Sequence, residues 1–446
     1  MNFATHYFTR YRALPPFFSD RPTEVLGVVV IIPCIDDAFI FNTLDSLDDA
    51  DTVNVKIEVI VNVNSGEKTP QEIIERNRVI YNELKQKTGA GFYKNFNLLP
   101  LHVEGTQRKK TGVGFARKTA MDEAVRRFAT INKPDGLIVS LDADSLVAKN
   151  YFKKIEDILI KNPAGCFTFQ FQHNYDTDVY PQEVINSCKL YEIYLRYYHL
   201  ALRSFNFPFA IHTIGSCFAI RADAYIKLGG MTPRQGGEDF YFLQKAVKMH
   251  PVFEVRDPIV FPSPRVSNRV PFGTGPSVRN ILEKGSYFVY DFKLFGLLKT
   301  FYELFPTMEM DDVKKDIPVE IMNYIGSDAF DEILSECRKY SSSSKAFVKR
   351  MYDNYDAFFI VKFLNTFNNS SDYPPINVLA AAKILLNYYE EYFTSAPNAQ
   401  VLCQPYSDAS LAVSIDMTIE AKLDFSSTID ETDYLYRQIT KLDIIF

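Results

Sequence analysis

Short apolar runs rich in β-branched residues, each followed by an amphipathic stretch, constrain the fold of this chain more than any other feature. The run LGVVVIIP at 26–33 is nearly continuous and ends at a proline, as expected of a strand buried on both faces. Similar runs occupy 57–63, 98–103 and 137–141. Strands that alternate with helices form parallel sheets. The sequence therefore predicts an α/β domain with a doubly wound, mainly parallel sheet.

Helix signals follow the predicted strands. Asp36 or Asp37 is placed to cap a helix over the apolar positions that follow, and Thr69-Pro70-Gln71-Glu72 has the form of a capping box with proline at the first helical position. Further helices are predicted over 113–129 and 150–162. The helix over 113–129 carries Ala116, Ala120, Ala124 and Phe128 on one stripe, and such small residues let a helix lie close to a sheet.

The pattern changes near residue 280, where helical periodicity replaces the alternation. Before that point come strands at 166–172 and 213–221, a helix at 181–205 and another that begins at Glu238. After it, helices are predicted near 280–305, 311–340, 345–367 and 375–394, separated by serine-rich and proline-rich breakers. We therefore predict an α/β domain over residues 1–279 and an all-helical C-terminal module over 280–446.

Composition excludes several classes of protein. The 49 Lys and Arg residues are outnumbered by 55 Asp and Glu, a net charge of −6, so the chain lacks the basic character of a nucleic-acid-binding protein. The six cysteines are far apart, which argues against a zinc site and a disulfide framework and predicts reduced, buried thiols. With no apolar leader and no run of 18 apolar residues, we expect a cytoplasmic protein.

The most specific local motif is Asp142-Ala143-Asp144, directly after the predicted strand LIVSL. Ligands of open α/β sheets bind at the carboxyl ends of the strands, and two carboxylates there suit a divalent cation that bridges to a diphosphate. A polar turn that caps a helix is the alternative interpretation of the same residues.

A second acidic pair, Glu238 and Asp239, opens an apolar helix after two glycines. Acidic residues in a first turn are stabilised by the helix dipole, which is the structural explanation, whereas a carboxylate held there is also suited to act as a general base. The turn around Gly114, followed by Arg117, would present amide groups and positive charge to an anion.

An irregular segment after the α/β region carries Arg265 and Arg269 and a Gly-Thr-Gly turn. Arginine suits bidentate contacts with phosphate, so the segment is predicted either to fold over a bound nucleotide or to be an interdomain linker.

Taken in order, the motifs VVVIIPCIDD, VIVNVNSG, GVGFARKTAMDEA, IVSLDADS, GSCFAIRADAYIKLGGM and GGEDFYFLQKA resemble the family 2 glycosyltransferases of the GT-A fold. The resemblance covers residues 26–275 and stops before the helical module. It implies a nucleotide diphosphate sugar donor, most simply a UDP-sugar, and a divalent cation, Mn²⁺ or Mg²⁺. It also implies a hexosyl or N-acetylhexosaminyl transferase that acts on a glycan, lipid-linked or other hydroxyl acceptor in polysaccharide biosynthesis.

The resemblance assigns roles to individual positions. Asp239, with Glu238 beside it, would be catalytic, deprotonating the acceptor hydroxyl for a single displacement that inverts the anomeric centre. Asp142 and Asp144 would hold the metal, and Asp142 would also contact ribose or metal-bound water. The implied nucleotide-binding positions are Pro33, Ile35, Asp37, Asn64, Gly114, Arg117, Asp142, Arg265 and Arg269. Arg117 would either lie near the diphosphate or brace the loop of Asp142 and Asp144.

Some features depart from the family pattern. Many relatives carry a histidine metal ligand after the second acidic motif. This chain has Ser263, Arg265 and Arg269 in that region, so arginine would supply part of the positive charge that the metal otherwise provides. The Q-x-x-R-W motif of processive synthases is missing, which favours transfer of one sugar per encounter.

Two questions stay open at this level. A catalytically silent nucleotide- or sugar-binding subunit of a glycan assembly system is the alternative to an enzyme. For the helical module we favour packing within the protein. The alternatives are formation of a homodimer and peripheral contact with the inner face of a membrane through residues 287–305.

Overall fold

The computed structural model describes residues 2–11, 13–89, 91–106, 112–234, 236–267, 273–309, 313–395 and 431–445. They form two compact units, one of Met1–Pro181 with His212–Ser277 and one of Gln182–Ile211 with Val278–Phe446. The segment 182–211 thus groups with the C-terminal residues, whereas the sequence analysis placed it in the first domain. The division at residue 279 itself remains a prediction.

The first unit is built on an eight-stranded mixed sheet. Its strands are β1 (Leu26–Cys34), β2 (Lys56–Gly66), β3 (Asn97–Thr106), β4 (Leu137–Ser140), β5 (Leu146–Val147), β6 (Cys166–Phe171), β7 (Phe218–Arg221) and β8 (Val252–Phe261). The spatial order is β3-β2-β1-β4-β7-β6-β8-β5. The first four strands in this order run parallel, β7 is antiparallel to both neighbours, and β5 is antiparallel to β8. The predicted α/β class with a mainly parallel sheet is confirmed.

Helices are numbered along the whole chain. Those of the first unit are α1 (Thr5–Tyr11), α2 (Ile40–Asp48), α3 (Gln71–Gln86), α4 (Val113–Thr130), α5 (Tyr151–Lys161), α7 (Ala222–Lys227) and α8 (Glu238–Met249). The long α6 (Gln182–Arg203) belongs to the second unit, and α9 (Thr274–Lys284) spans the division between the two. The predicted elements of the α/β region are therefore present, with α1, α7, β5 and β8 in addition.

Two helix-capping predictions are wrong. Thr69 does not cap α3, because its hydroxyl accepts a hydrogen bond from the Gly66 amide (2.9 Å) and closes the preceding turn, so that Pro70 is the N-cap. Helix α2 begins at Ile40 with Phe39 as its N-cap. The carboxylate of Asp37 accepts instead from the Phe39 amide (3.2 Å), which leaves it at the end of β1.

Helix α4 is buried on more than the predicted alanine stripe. Ala116, Ala120, Ala124 and Phe128 are fully buried, as the stripe predicts. Asp122, on the opposite face, accepts a hydrogen bond from Tyr7 of α1 (2.7 Å), and Arg127, beside the stripe, pairs with Glu58 of β2 and with Asp20. The N-terminal segment, for which the sequence predicts no helix or strand, therefore packs against this helix and contributes to its burial.

The second unit is helical apart from a ladder of two two-residue strands, β9 (Phe288–Val289) and β10 (Ile376–Asn377). Its further helices are α10 (Phe292–Glu303), α11 (Val319–Ile325), α12 (Ser327–Lys339), α13 (Ser344–Asn354), α14 (Ala357–Phe367), α15 (Val378–Ser395) and α16 (Glu431–Ile445), with a 3₁₀ turn at Lys314–Asp316. Each of the helices predicted near 280–305, 311–340 and 345–367 is thus divided into two helices. The breaks fall at β9, at Gly326 and at Tyr355-Asp356.

The aromatic residues of this unit form its core. In α10, Leu294, Phe295, Leu298, Phe301 and Tyr302 are buried, so its apolar side chains serve packing. Tyr191 and Tyr194 of α6 pack against Tyr287. Within the part of the chain that the structure describes, no helix is long and apolar enough to cross a membrane.

The five described cysteines are free and buried, in agreement with the prediction. Burial raises the pKa of the Cys166 thiol to about 12, so this side chain behaves as a small hydrophobic group. Cys403 lies outside the described residues.

Candidate active site

Polar side chains from separate loops meet at the carboxyl edge of the parallel strands. Because β1 and β4 are parallel neighbours, with Ile31 opposite Ser140, the residues that follow them leave the sheet side by side. Asp37 follows β1, and Asp142 and Asp144 follow β4. The turn of the latter two is fixed by Thr43 of α2, whose hydroxyl donates to the Ala143 carbonyl (2.8 Å).

Arg117 lies beneath this edge and connects several loops. Its Nη2 donates to Asp142 Oδ1 (2.9 Å), its Nε donates to Glu238 Oε1 (3.2 Å), and its Nη1 donates to Ser140 Oγ (2.5 Å) and to the Gly215 carbonyl (2.9 Å). Its side chain is 3% exposed. Burial alone would lower the pKa of Arg117, but Asp142, Glu238 and Asp239 outweigh it and raise the pKa. Of the two roles the sequence left open, these contacts favour bracing the loop of Asp142 and Asp144.

Glu238 and Asp239 occupy different environments at the start of α8. Glu238 is 3% exposed and paired with Arg117, which favours a positioning role over the catalytic role predicted for it. Asp239 is less buried, and its Oδ1 accepts from the amide of Phe240 (2.8 Å). Desolvation and the charge of Glu238 raise the pKa of Asp239 to about 7, although Arg117 opposes the shift. A carboxylate with a pKa near neutrality is suited to general base catalysis.

Arg265 bridges the two acidic loops. Its Nη1 donates to Asp37 Oδ1 (3.1 Å), and its Nη2 donates to Asp37 Oδ2 and forms an ion pair with Asp144 Oδ2 (2.7 Å). Strand pairing explains how residues so far apart in sequence meet. Strand β5 follows Asp144 and pairs with the end of β8, with Leu146 opposite Phe261, so the chain that leaves β8 passes over Asp144.

The acidic cluster has the charge that a divalent cation would neutralise. Desolvation raises the pKa of Asp144 to about 7, and Asp37 and Asp142 add to the shift, which Arg265 opposes. The pKa of Asp37 is also raised, first by burial. Mg²⁺ is commonly held by one or two carboxylates together with substrate phosphates. Asp144 and Asp142, at the mouth of the site, fit such a cation in chemistry and charge.

Other predicted positions are placed less directly. Pro33 is buried in β1 opposite Asn62 of β2, Ile35 follows that strand, and Asn64 is buried near the end of β2. The amide of Gly114, predicted to take part in an anion cradle, donates to the Arg234 carbonyl (3.1 Å). Arg269 lies outside the described residues.

The backbone carbonyl of Gly215, for which no role was predicted, accepts hydrogen bonds from both Arg117 and Ser140. The predicted strand over 213–221 is confirmed only from Phe218, and the preceding turn carries this carbonyl to the carboxyl end of β4. A glycine just before a strand was the available signal. A Cβ at this position would lie 2.7 Å from Arg117 Nη2 and 3.1 Å from Asp239 Oδ2.

Gly215→Ala is therefore expected to destabilise the protein by about 1–3 kcal/mol, the usual effect of an added methyl group in a packed site. Urea unfolding measures the change in the free energy of unfolding. Gly296→Ala is the matched control, since Gly296 lies within α10 with nothing within 4 Å of a Cβ. It is expected to stabilise by roughly 0.5–1 kcal/mol. Equal effects at the two positions would contradict the close packing at Gly215.

No model of a protein family and no curated protein matches the chain. Among solved structures, S. aureus TarS 1-349 in complex with UDP-GlcNAc is 12% identical over 83% of this chain and 88% of its own, with a TM-score of 0.37. The mannosyltransferase PcManGT from Pyrobaculum calidifontis, in complex with GDP-Man and Mn²⁺, is 14% identical over 89% of this chain and 95% of its own, with a TM-score of 0.34. The neighbours thus include a glycosyltransferase and complexes with nucleotide sugars, at low identity and low structural similarity.

Proposed function

We propose that the protein is a glycosyltransferase that uses a nucleotide diphosphate sugar and releases the nucleoside diphosphate. The observation that carries the proposal is the convergence of Asp37, Asp142, Asp144 and Asp239 with two arginines at the carboxyl edge of the sheet. The edge therefore combines an acidic cluster for a cation, the Arg265 guanidinium for a diphosphate and a separate carboxylate of raised pKa, with Arg117 bracing the loops. The order of the family 2 motifs supports the same conclusion.

The proposed mechanism is a single displacement at the anomeric carbon. Asp239 takes the proton of the acceptor hydroxyl as the oxygen attacks, and the bond from the anomeric carbon to the diphosphate oxygen breaks. Attack from the opposite face inverts the anomeric centre. Arg117 keeps Asp142 and Glu238 in place beside the reacting groups. A low-dielectric, preorganised set of charges of this kind stabilises the developing negative charge on the leaving diphosphate.

A divalent cation would be held by Asp144, with Asp142 beside it, and when bound it would supply positive charge to the diphosphate. One carboxylate oxygen of Asp142 accepts from Arg117, and one of Asp144 is paired with Arg265, so each carboxylate is already partly engaged. A site with few protein ligands depends on phosphate oxygens to complete it. Cation and nucleotide are therefore expected to bind cooperatively.

Nucleotide binding is the first testable consequence. We expect one of UDP, GDP, CDP and dTDP to raise the melting temperature, and to do so more strongly with Mn²⁺. A ligand that binds only the folded state at a hundredfold excess over its Kd stabilises by about 2.7 kcal/mol. A thermal-shift panel with and without Mn²⁺ measures the effect and identifies the base.

Asp144→Ala serves as the variant for this panel. It is expected to keep a nucleotide shift but to lose the Mn²⁺-dependent increment. Asp45→Ala, which removes an exposed carboxylate on α2, is the control and should behave as the unaltered protein. If no nucleotide shifts the melting temperature of the unaltered protein, the proposed function is wrong.

A catalytically silent subunit that binds nucleotide or sugar remains the second candidate. It is compatible with a thermal shift but not with release of nucleoside diphosphate from the donor.

A further inference from the structure

Arg265 contacts the carboxylate of Asp144, to which a divalent cation would also bind. One nitrogen, Nη2, donates to Asp37 and forms an ion pair with Asp144, so the guanidinium offsets negative charge of both carboxylates. Asp37 is 3% exposed and lies behind the cluster, whereas Asp144 is 25% exposed. The contact with Asp37 is thus the more protected of the two, and the contact with Asp144 is the one open to a competitor.

The same guanidinium carries an unused donor. Arg265 Nε is buried and has no hydrogen-bond partner among the described residues, although Nη1 and Nη2 are both engaged. A buried donor without a partner is costly, and in a ligand-free site it points to an acceptor that arrives with the ligand. An arginine N–H beside carboxylates and a cation suits a phosphate oxygen, because guanidinium matches phosphate geometry.

The backbone of Arg265 is anchored, which confines any rearrangement to the side chain. Its amide donates to Ser263 Oγ (3.2 Å), and that hydroxyl is in turn 3.1 Å from Tyr180 Oη. Ser263 is buried. The guanidinium can therefore exchange partners while its Cα stays in place.

We propose that Arg265 is a resident cation that competes with the divalent cation for Asp144 and transfers its hydrogen bonds to the donor diphosphate when the metal enters. The inference deepens the proposed function and rests on it. A cation that binds the Asp144 oxygen displaces the Nη2 donor from it. The released donor and the unused Nε then face the diphosphate that the cation brings. One side chain thus couples metal entry to donor binding.

The test is a titration of the full chain with Mn²⁺ in the absence of nucleotide, with free Mn²⁺ followed by electron paramagnetic resonance. Arg265→Ala is expected to bind Mn²⁺ about tenfold more tightly than the unaltered protein, since it removes one partly exposed, charge-assisted contact. In the presence of saturating Mn²⁺, the same variant is expected to bind inorganic pyrophosphate about tenfold more weakly, because the phosphate loses its guanidinium partner. Opposite changes in the two affinities identify the exchange.

Arg76→Ala is the matched control. It removes one positive charge from another arginine that pairs with an aspartate through two hydrogen bonds, to Asp36 (2.6 and 2.8 Å), next to Asp37 in sequence. It should leave both affinities unchanged. Arg265→Lys keeps the charge but has no fork to span two carboxylates, and is expected to fall between Arg265→Ala and the unaltered protein. Melting curves confirm that each variant is folded.

Equal or weaker Mn²⁺ binding by Arg265→Ala would overturn the inference, as would an equal gain in Arg76→Ala, which would indicate a general charge effect. Absence of Mn²⁺ binding in both Arg265→Ala and the unaltered protein would also overturn it. In that case a nucleotide-dependent thermal shift without metal would still support the proposed function, so the two failures are distinguishable.

Discussion

Asp239→Asn is expected to lower the rate of nucleoside diphosphate release by about 10²–10⁴-fold, the usual contribution of a general base. The amide keeps the size of the side chain and removes its proton-accepting capacity. Donor binding should persist, because the substitution leaves Asp142, Asp144 and Arg265 unaltered. Release of nucleoside diphosphate is measured with the donor identified by thermal shift and with a panel of hydroxyl acceptors. The same thermal shift, repeated on the variant, measures donor binding.

The pKa of Asp239 also predicts in which direction activity changes with pH. Because the pKa of Asp239 is raised to about 7, the carboxylate is progressively protonated below that pH and cannot accept a proton. We expect kcat/KM to fall by about tenfold for each pH unit below 7 and to level off above it, as for a single essential base. At saturating Mn²⁺, where a bound cation would hold Asp144 ionised despite its own pKa of about 7, Asp239→Asn should abolish this dependence.

Asp328→Asn, in the first turn of α12, is the control, since it makes the same substitution at an exposed carboxylate of a helix start. It should leave the rate unchanged. Full activity in Asp239→Asn would exclude Asp239 as the base. Donor binding without any turnover in the unaltered protein would instead support the silent binding subunit.

The local sequence pattern was sufficient to predict most strands of the sheet, but not β8 and β5 at one of its edges. The strands that became β1, β2, β3 and β4 are apolar runs buried on both faces, and their burial is encoded in consecutive residues. Strand β8 was missed because it alternates irregularly and contains Pro258. Strand β5 has only two residues and exists through its pairing with β8. Such elements depend on a distant partner that no local window contains.

The same distinction applies to the site. Asp142, Asp144 and Asp239 could be found from the sequence because each lies in a short motif at a predictable strand or helix end. The bridge from Arg265 to Asp37 joins residues separated by 228 positions, and it follows from the pairing of β5 with β8. The close packing of Gly114 against the Arg234 backbone could not be predicted, because a glycine turn suits both an anion and close backbone packing.

Arg117→Ala is expected to lower the free energy of unfolding by about 3–5 kcal/mol, the cost of leaving a buried charge without its partner. Glu238 is 3% exposed and would lose the guanidinium that compensates its charge, while Ser140 and the Gly215 carbonyl would lose a shared donor. Urea unfolding measures the loss. Arg76→Ala, which breaks an exposed pair, should produce no comparable change because solvent screens such pairs.

Removing the charge of Glu238 as well separates a buried-charge effect from a packing effect. The double variant Arg117→Met, Glu238→Gln leaves two uncharged side chains of similar volume in the same space. It is expected to be more stable than Arg117→Met alone, with a coupling free energy of about 1–3 kcal/mol in a double-mutant cycle. Additive effects would show that the pair is not energetically coupled. Turnover should stay low in the double variant even where stability returns, since Asp142 no longer has the guanidinium that orients it.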